Sequence, residues 1–150
     1  MKILISACLL GQACRYDGKA VEKIKLDGFD LYPLCPEVLG GFSTPRAPSE
    51  RRGERVINSQ GEDVTRGFVQ GAQRALDLME KEKIQIALLK ENSPSCGVHF
   101  IYDGNFSGKK VKGKGIFTEL LLEKGYRVLS EEEIEIVKEE RNGNRKKSDQ

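Results

Sequence analysis

Short apolar runs separated by longer amphipathic stretches set the outline of this chain. Residues 2–7 (KILISA) are a mostly apolar run ending in small residues, which predicts a buried first strand feeding the loop CLLGQACRYDGK. A second run, 29–34 (FDLYPL), stops at CPEVLGGFSTPRAP, where three prolines and a Gly-Gly pair predict irregular chain. The run 84–90 (IQIALLK) leads into ENSPSCG, where Pro94 and Gly97 predict another loop. Between the second and third runs the period changes. Val64, Phe68, Ala72, Ala75, Leu76 and Met79 recur at helical spacing while Arg66, Gln73 and Glu80 fall on the other face, so a helix is expected from a cap at Asp63 or Thr65 to about Lys83.

The remaining segments predict smaller pieces. RVIN (55–58) and the turn-like SQGED suggest a hairpin or extended arm, and HFIYDG with NFSGKKV a second hairpin or loop. GKGIFTELLLEKG reads as a helix stopped by Gly125, YRVLS as a last strand, and EEEIEIVKEE as an acidic helix. Residues 141–150 (RNGNRKKSDQ) are expected to be a disordered basic tail, leaving 1–140 as a single α/β domain. Strands alternating with helices predict a Rossmann-like, three-layer domain with a mainly parallel sheet and its site at the carboxyl ends of the strands.

Composition narrows the partners without naming one. A chain of 150 residues suits one core, 38% apolar and 32% charged content is ordinary for a soluble protein, and a net charge of +2 demands no polyanion. No apolar run is long enough to cross a membrane, and the N-terminus lacks the pattern of a secretory leader. A cytoplasmic location is therefore expected, where four cysteines argue for metal or chemistry over disulfides.

Cys8, Cys35 and Cys96 each follow a different predicted strand, so a parallel sheet would bring them into one crevice. Paired C-x-x-C knuckles and a redox C-x-x-C are both absent. A soft metal would hold all three as thiolates, and a four-iron cluster on three cysteines would keep one iron open to a soft donor such as a thiocarbonyl sulfur. A zinc hydrolase with cysteine ligands stays open at this point, as does an inert role for these cysteines as small buried apolar residues, and Cys14 is given no role.

Other side chains compete for the same crevice. Glu37 could activate water as a general base, or serve as a helix N-terminal carboxylate or a salt-bridge partner. Ser93 is favoured to touch substrate and Ser95 to support the sulfur environment by hydrogen bonding. Arg15, Tyr16 and Asp17 after the first cysteine loop, and Arg46, Arg51 and Arg52 after the second, could rim the crevice with donors. KKVKGKG matches no phosphate-binding fingerprint, and His99 is assigned no catalytic part.

The segments CLLGQACRYDG, CPEVLGGFSTPRAPSE, LLKENSPSCG, IYDGNFSG and VKGKGIFTELLLEKGYRVLSE together resemble the bacterial family catalogued as domain of unknown function 523, over about residues 3–132. Some members of that family are TudS-like thiouracil desulfurases. The resemblance implies a [4Fe–4S] cluster with three cysteine ligands and one open iron, and removal of sulfur from a thiolated pyrimidine such as 2-thiouracil by hydrolytic, non-redox C–S cleavage. Cys8, Cys35 and Cys96 match the cluster positions, Glu37 the acid-base glutamate and Ser93 the nearby serine, while Cys14 lies where no cysteine is required. A free base, a thiolated nucleoside and a thiolated tRNA all fit the resemblance as substrates. The competing expectation, from another class, is a non-catalytic iron–sulfur or thiol redox-sensing module, or an RNA-binding one.

Overall fold

Every position of β1 (Lys2–Ser6) after Lys2 is buried, because the strand lies inside a four-stranded sheet and not at its edge. Its neighbours are β2 (Asp30–Leu34) and β5 (Ile86–Leu89), and β5 pairs in turn with β8 (Arg127–Ser130). All three pairings are parallel, with Ile5 opposite both Pro33 and Leu88. Pro33 is tolerated because β2 is an edge strand and needs no ladder N–H on its outer side. The structure, a computed structural model, describes residues 1–18 and 26–140. The basic tail expected over 141–150 lies outside the described residues.

The pleat sends alternate side chains to opposite faces. Leu4, Ala87 and Leu89 pack on one side against α2 (Thr65–Glu82) and α3 (Ile116–Glu123), through Ala72, Leu76, Met79, Phe117 and Leu121. Ile3, Ile5 and Leu88 pack on the other side against Leu9, Leu26 and Val137. Leu9 belongs to a 3-10 turn, Ala7–Leu10, and Val137 to the helical residues 134–140, which follow a second 3-10 turn at Glu131–Glu133. The expected three-layer α/β fold with a parallel sheet is what forms.

Two small antiparallel pairs extend from the sheet's carboxyl end: β3 (Ser49–Arg52) with β4 (Arg55–Asn58), and β6 (Phe100–Tyr102) with β7 (Lys110–Lys112). RVIN is thus a hairpin strand, but its main partner lies upstream, across the turn at Gly53. The helix expected to be capped by Asp63 or Thr65 begins at Thr65 with Val64 in the cap position. Asp63 Oδ1 accepts from the Thr65 N–H at 3.0 Å and from its hydroxyl at 2.6 Å, and that hydroxyl accepts in turn from Val56 N–H at 2.8 Å. The KKVKGKG segment supplies β7, and Lys114 donates to the Val98 carbonyl at 3.0 Å, a structural tie in place of a phosphate cradle.

The proline-rich stretch after Cys35 is less irregular than its composition predicts. Pro36–Leu39 form one helical turn, α1. Pro36 sits at the first helical position, where its missing N–H would have had no partner. α1 lies unusually close to α2. A Cβ on Gly71 would stand 1.9 Å from the Pro36 carbonyl oxygen, and one on Gly40 would stand 2.1 Å from that of Gly67. Glycine at these points lets the two backbones touch, which sets the position of the segment carrying Cys35 and Glu37.

Candidate active site

From β1 the chain departs toward β2, while from β5 it departs the other way, toward β8. The loops after β1 and β5 therefore diverge and leave a crevice at the carboxyl ends of the strands. A cavity of about 420 Å³ occupies it, and Cys8, Cys35 and Cys96 all line it. Cys14 lines it as well, so four cysteines line one cavity.

Each of the three expected ligands is held by local backbone structure. Cys8 sits in the 3-10 turn directly after β1, closed by Gly11, whose φ of 85° puts it in the left-handed region. Cys35 is the extended residue at the start of α1, and its Sγ donates to the Cys14 carbonyl at 3.9 Å. Cys96 is placed by Ser93, whose Oγ accepts from the N–H groups of Ser95 at 3.1 Å and Cys96 at 3.0 Å. The same loop is clamped to the start of α3, where Ile116 N–H donates to the Pro94 carbonyl and Phe117 N–H to that of Ser95, both at 2.9 Å. A Cβ on Gly115 would meet the Ser95 carbonyl oxygen at 2.2 Å, so this clamp too depends on glycine.

The cavity is hostile to free thiolates. Cys35 is pushed far up, first by its hydrogen bond with Cys14 and then by burial and the negative charge of Glu37. Burial is the main cause of the rise at Cys96, which the hydroxyls of Ser6 and Ser95 only partly offset. Cys14 is raised more modestly, because the Cys35 hydrogen bond that lowers it opposes Cys8 and burial, which raise it. Such thiols keep their protons unless a positive group replaces them, so the donor set suits a soft metal centre that brings its own charge. Among the described residues no three His, Cys, Asp or Glu side chains gather as tightly as a single ion requires. A four-iron cluster takes its cysteines at separate irons and does not require three donors around one ion.

Two residues after Cys35, Glu37 is almost enclosed. Arg46 Nε donates to its Oε2 at 3.0 Å and Arg46 Nη2 forms an ion pair with the same oxygen. Ser93 Oγ donates to its Oε1 at 3.3 Å. Both of the structural roles weighed for Glu37 are thus present, since it stands in the first turn of α1 and pairs with an arginine. Neither removes it from the cavity wall. Arg46 also donates to the Ser43 carbonyl and the Thr44 hydroxyl, each at 3.1 Å.

The remaining expected residues divide. Arg15 and Tyr16 line the cavity. Arg51 and Arg52 do not, being used by Glu119 with the Lys114 carbonyl and by the Gly104 carbonyl respectively. Ser95 is fully buried off the cavity wall, with no hydrogen-bond partner for its hydroxyl, while it still favours the Cys96 thiolate. His99 contacts Glu133 at 2.7 Å on the surface. Sequence reasoning passed over two carboxylates on the cavity wall, Glu50 and Glu91, both nearly buried. Glu50 accepts from Gly104 and Phe106 N–H, and Glu91 Oε1 from Val98, His99 and Phe100 N–H. Their only signal was their place beside the motifs APSE and LLKENSPSCG.

The 2-thiouracil desulfurase family model matches residues 3–133. A Bacillus subtilis (strain 168) protein, described as uncharacterized protein YbbK, is 47% identical over 146 residues, covering 88% of this chain and 97% of that protein. A solved structure, a [4Fe-4S]-dependent thiouracil desulfidase TudS, is 46% identical with a TM-score of 0.84, covering 88% of this chain and 91% of that one.

Proposed function

Because the chain belongs to the 2-thiouracil desulfurase family, we propose that it cleaves the C–S bond of a thiolated pyrimidine such as 2-thiouracil, with a [4Fe–4S] cluster on Cys8, Cys35 and Cys96. The observation that carries this reading is the meeting of three strand-end cysteines with an oriented glutamate in one cavity. The solved relative that is a [4Fe-4S]-dependent thiouracil desulfidase supports it. Among the described residues no helix is long and apolar enough to cross a membrane.

When bound, the cluster would supply an open iron as a Lewis acid for a soft sulfur atom. The protein's own groups handle the water and its protons. Arg46 fixes Glu37 through Oε2, which leaves Oε1 to take a proton from a water directed at the thiocarbonyl carbon. Ser93 has its one donor on Glu37 and its oxygen shared by two backbone N–H groups, so it orients the carboxylate and has no capacity left for substrate. Water enters, the sulfur leaves as hydrogen sulfide, and the ring keeps oxygen in its place, with no net redox change.

Anaerobic reconstitution followed by incubation with 2-thiouracil tests the reading, with uracil and sulfide expected in equal amounts. Glu37→Gln is expected to keep its iron and lose about 10²–10⁴-fold in kcat. Iron-loaded protein that releases no sulfide from 2-thiouracil or from a thiolated nucleoside would sink it.

A further inference from the structure

Cys14 is the fourth thiol on the cavity wall and has no part in the chemistry above. It is not an isolated buried cysteine. Its carbonyl accepts from Cys35 Sγ at 3.9 Å, and its side chain packs against the apolar cluster that contains Cys8. It therefore stands beside two of the three cysteines assigned to the cluster.

Its backbone differs from theirs in kind. Cys8 lies in a 3-10 turn, Cys35 starts a helix, and Cys96 is clamped by Ser93 and α3. Residues 12–14 adopt no regular structure, Gln12 and Ala13 are exposed, and the Cys14 N–H reaches only the Gln12 carbonyl, at 3.0 Å. Residues in turns and helix starts define a site; a thiol on a partly exposed, irregular segment beside them can join or leave without dismantling it.

We propose, resting on the cluster reading above, that Cys14 is a reversible fourth ligand, bound to the open iron while the cavity is empty and displaced by the sulfur of an arriving substrate. The exchange is a ligand substitution without electron transfer. The bond between iron and Cys14 Sγ breaks, a bond between iron and the substrate sulfur forms, and the freed Cys14 thiolate takes up one proton from solvent. In the resting protein Cys14 would shield the one iron that the anchored cysteines leave exposed.

Alkylation of the reconstituted full-length protein by iodoacetamide, read cysteine by cysteine by mass spectrometry, tests this independently of turnover. With iron and sulfide confirmed, Cys14 is expected to be protected without substrate and to alkylate during a short pulse with saturating 2-thiouracil, while Cys8, Cys35 and Cys96 stay protected throughout. Cys14→Ala should load the same iron but surrender it to a chelator about tenfold faster when no substrate is present. Equal alkylation of Cys14 with and without 2-thiouracil, or an unchanged rate of iron loss in Cys14→Ala, would overturn the proposal while leaving the cluster in place. Failure of the wild-type protein to take up iron and sulfide would overturn the cluster reading itself.

Discussion

Ser93 and Glu37 lie 56 residues apart in sequence and meet at 3.3 Å, Ser93 Oγ donating to Glu37 Oε1. The same hydroxyl accepts from the N–H groups of Ser95 and Cys96. One oxygen therefore ties the proposed base to the loop that carries a proposed cluster ligand, and anything that moves it moves both.

Ser93→Ala removes this tie and leaves two largely buried N–H groups without their acceptor. A loss of about 1–3 kcal/mol in unfolding free energy is expected from the stranded donors, together with a fall in kcat of about 10²-fold from the released carboxylate. Ser93→Thr keeps the hydroxyl and should recover most of both. Denaturant unfolding and steady-state kinetics on the three proteins decide the matter; a Ser93→Ala enzyme with wild-type kcat would show that Glu37 needs no such orientation.

The contact between Gly71 and Pro36 gives a second prediction, opposite in sign to the usual rule. Replacing glycine by alanine inside an exposed helix normally stabilises by about 1 kcal/mol. At Gly71 the new Cβ would stand 1.9 Å from the Pro36 carbonyl oxygen, a backbone atom that cannot swing aside. α1 must shift instead, at a cost of about 1–3 kcal/mol, carrying Cys35 and Glu37 with it. Gly71→Ala should therefore lower Tm and reduce iron uptake, whereas Gly61→Ala, whose Cβ meets nothing within 4 Å, strains only its own turn at φ 81° and should leave iron uptake at the wild-type level.

These two cases mark what could and could not be read from the chain beforehand. The apolar runs at 2–7 and 84–90 showed the central strands, because a strand buried on both faces has no polar alternation to confuse it. That logic also put Cys8, Cys35 and Cys96 at strand ends. α1 was hidden because proline and paired glycines signal irregular chain, and only the close packing of α1 on α2 explains why they occur in a helical turn and just after it. Gly67 and Gly71 look like weak points in a helical pattern until the neighbour they admit is known. The pairing of Arg46 with Glu37, in preference to Arg51 or Arg52, depends on how the chain folds back from Phe42 to Arg46. No periodicity encodes that path.

Arg46 itself yields a prediction that separates charge from geometry. Its guanidinium holds Glu37 through two nitrogens while also bonding the Ser43 carbonyl and the Thr44 hydroxyl. Lysine would keep the charge but cannot span these partners. Arg46→Lys should fold normally, load iron normally and lose about tenfold or more in kcat with little change in KM. Arg46→Ala leaves a nearly buried carboxylate unpaired and should cost a further 2–4 kcal/mol or so of stability. Equal kcat in Arg46→Lys and the wild type would mean that the positive charge alone serves Glu37.

The acid side of the stability profile should carry the imprint of Glu133. Its carboxylate accepts from the Ser130 N–H at 3.0 Å and contacts His99 Nε2 at 2.7 Å, closing a capping box at the end of β8. Burial pushes the group up, but the Ser130 hydrogen bond and His99 outweigh it, and the net direction is below the ordinary glutamate range. A carboxylate lowered on folding adds stability that is fully present above its unfolded value, about 4.3, and is lost as pH falls through the lower folded value. Glu133→Gln should therefore be less stable than the wild type near neutral pH, by about 0.5–1 kcal/mol for a solvent-screened cap. The gap should narrow as pH falls below about 4.3 and close once pH is below the lowered folded value, where both proteins carry a neutral group at this position. Urea unfolding of the two proteins across that range measures it directly, and a gap that persists unchanged at the acid end would show that packing, not charge, is what Glu133 contributes.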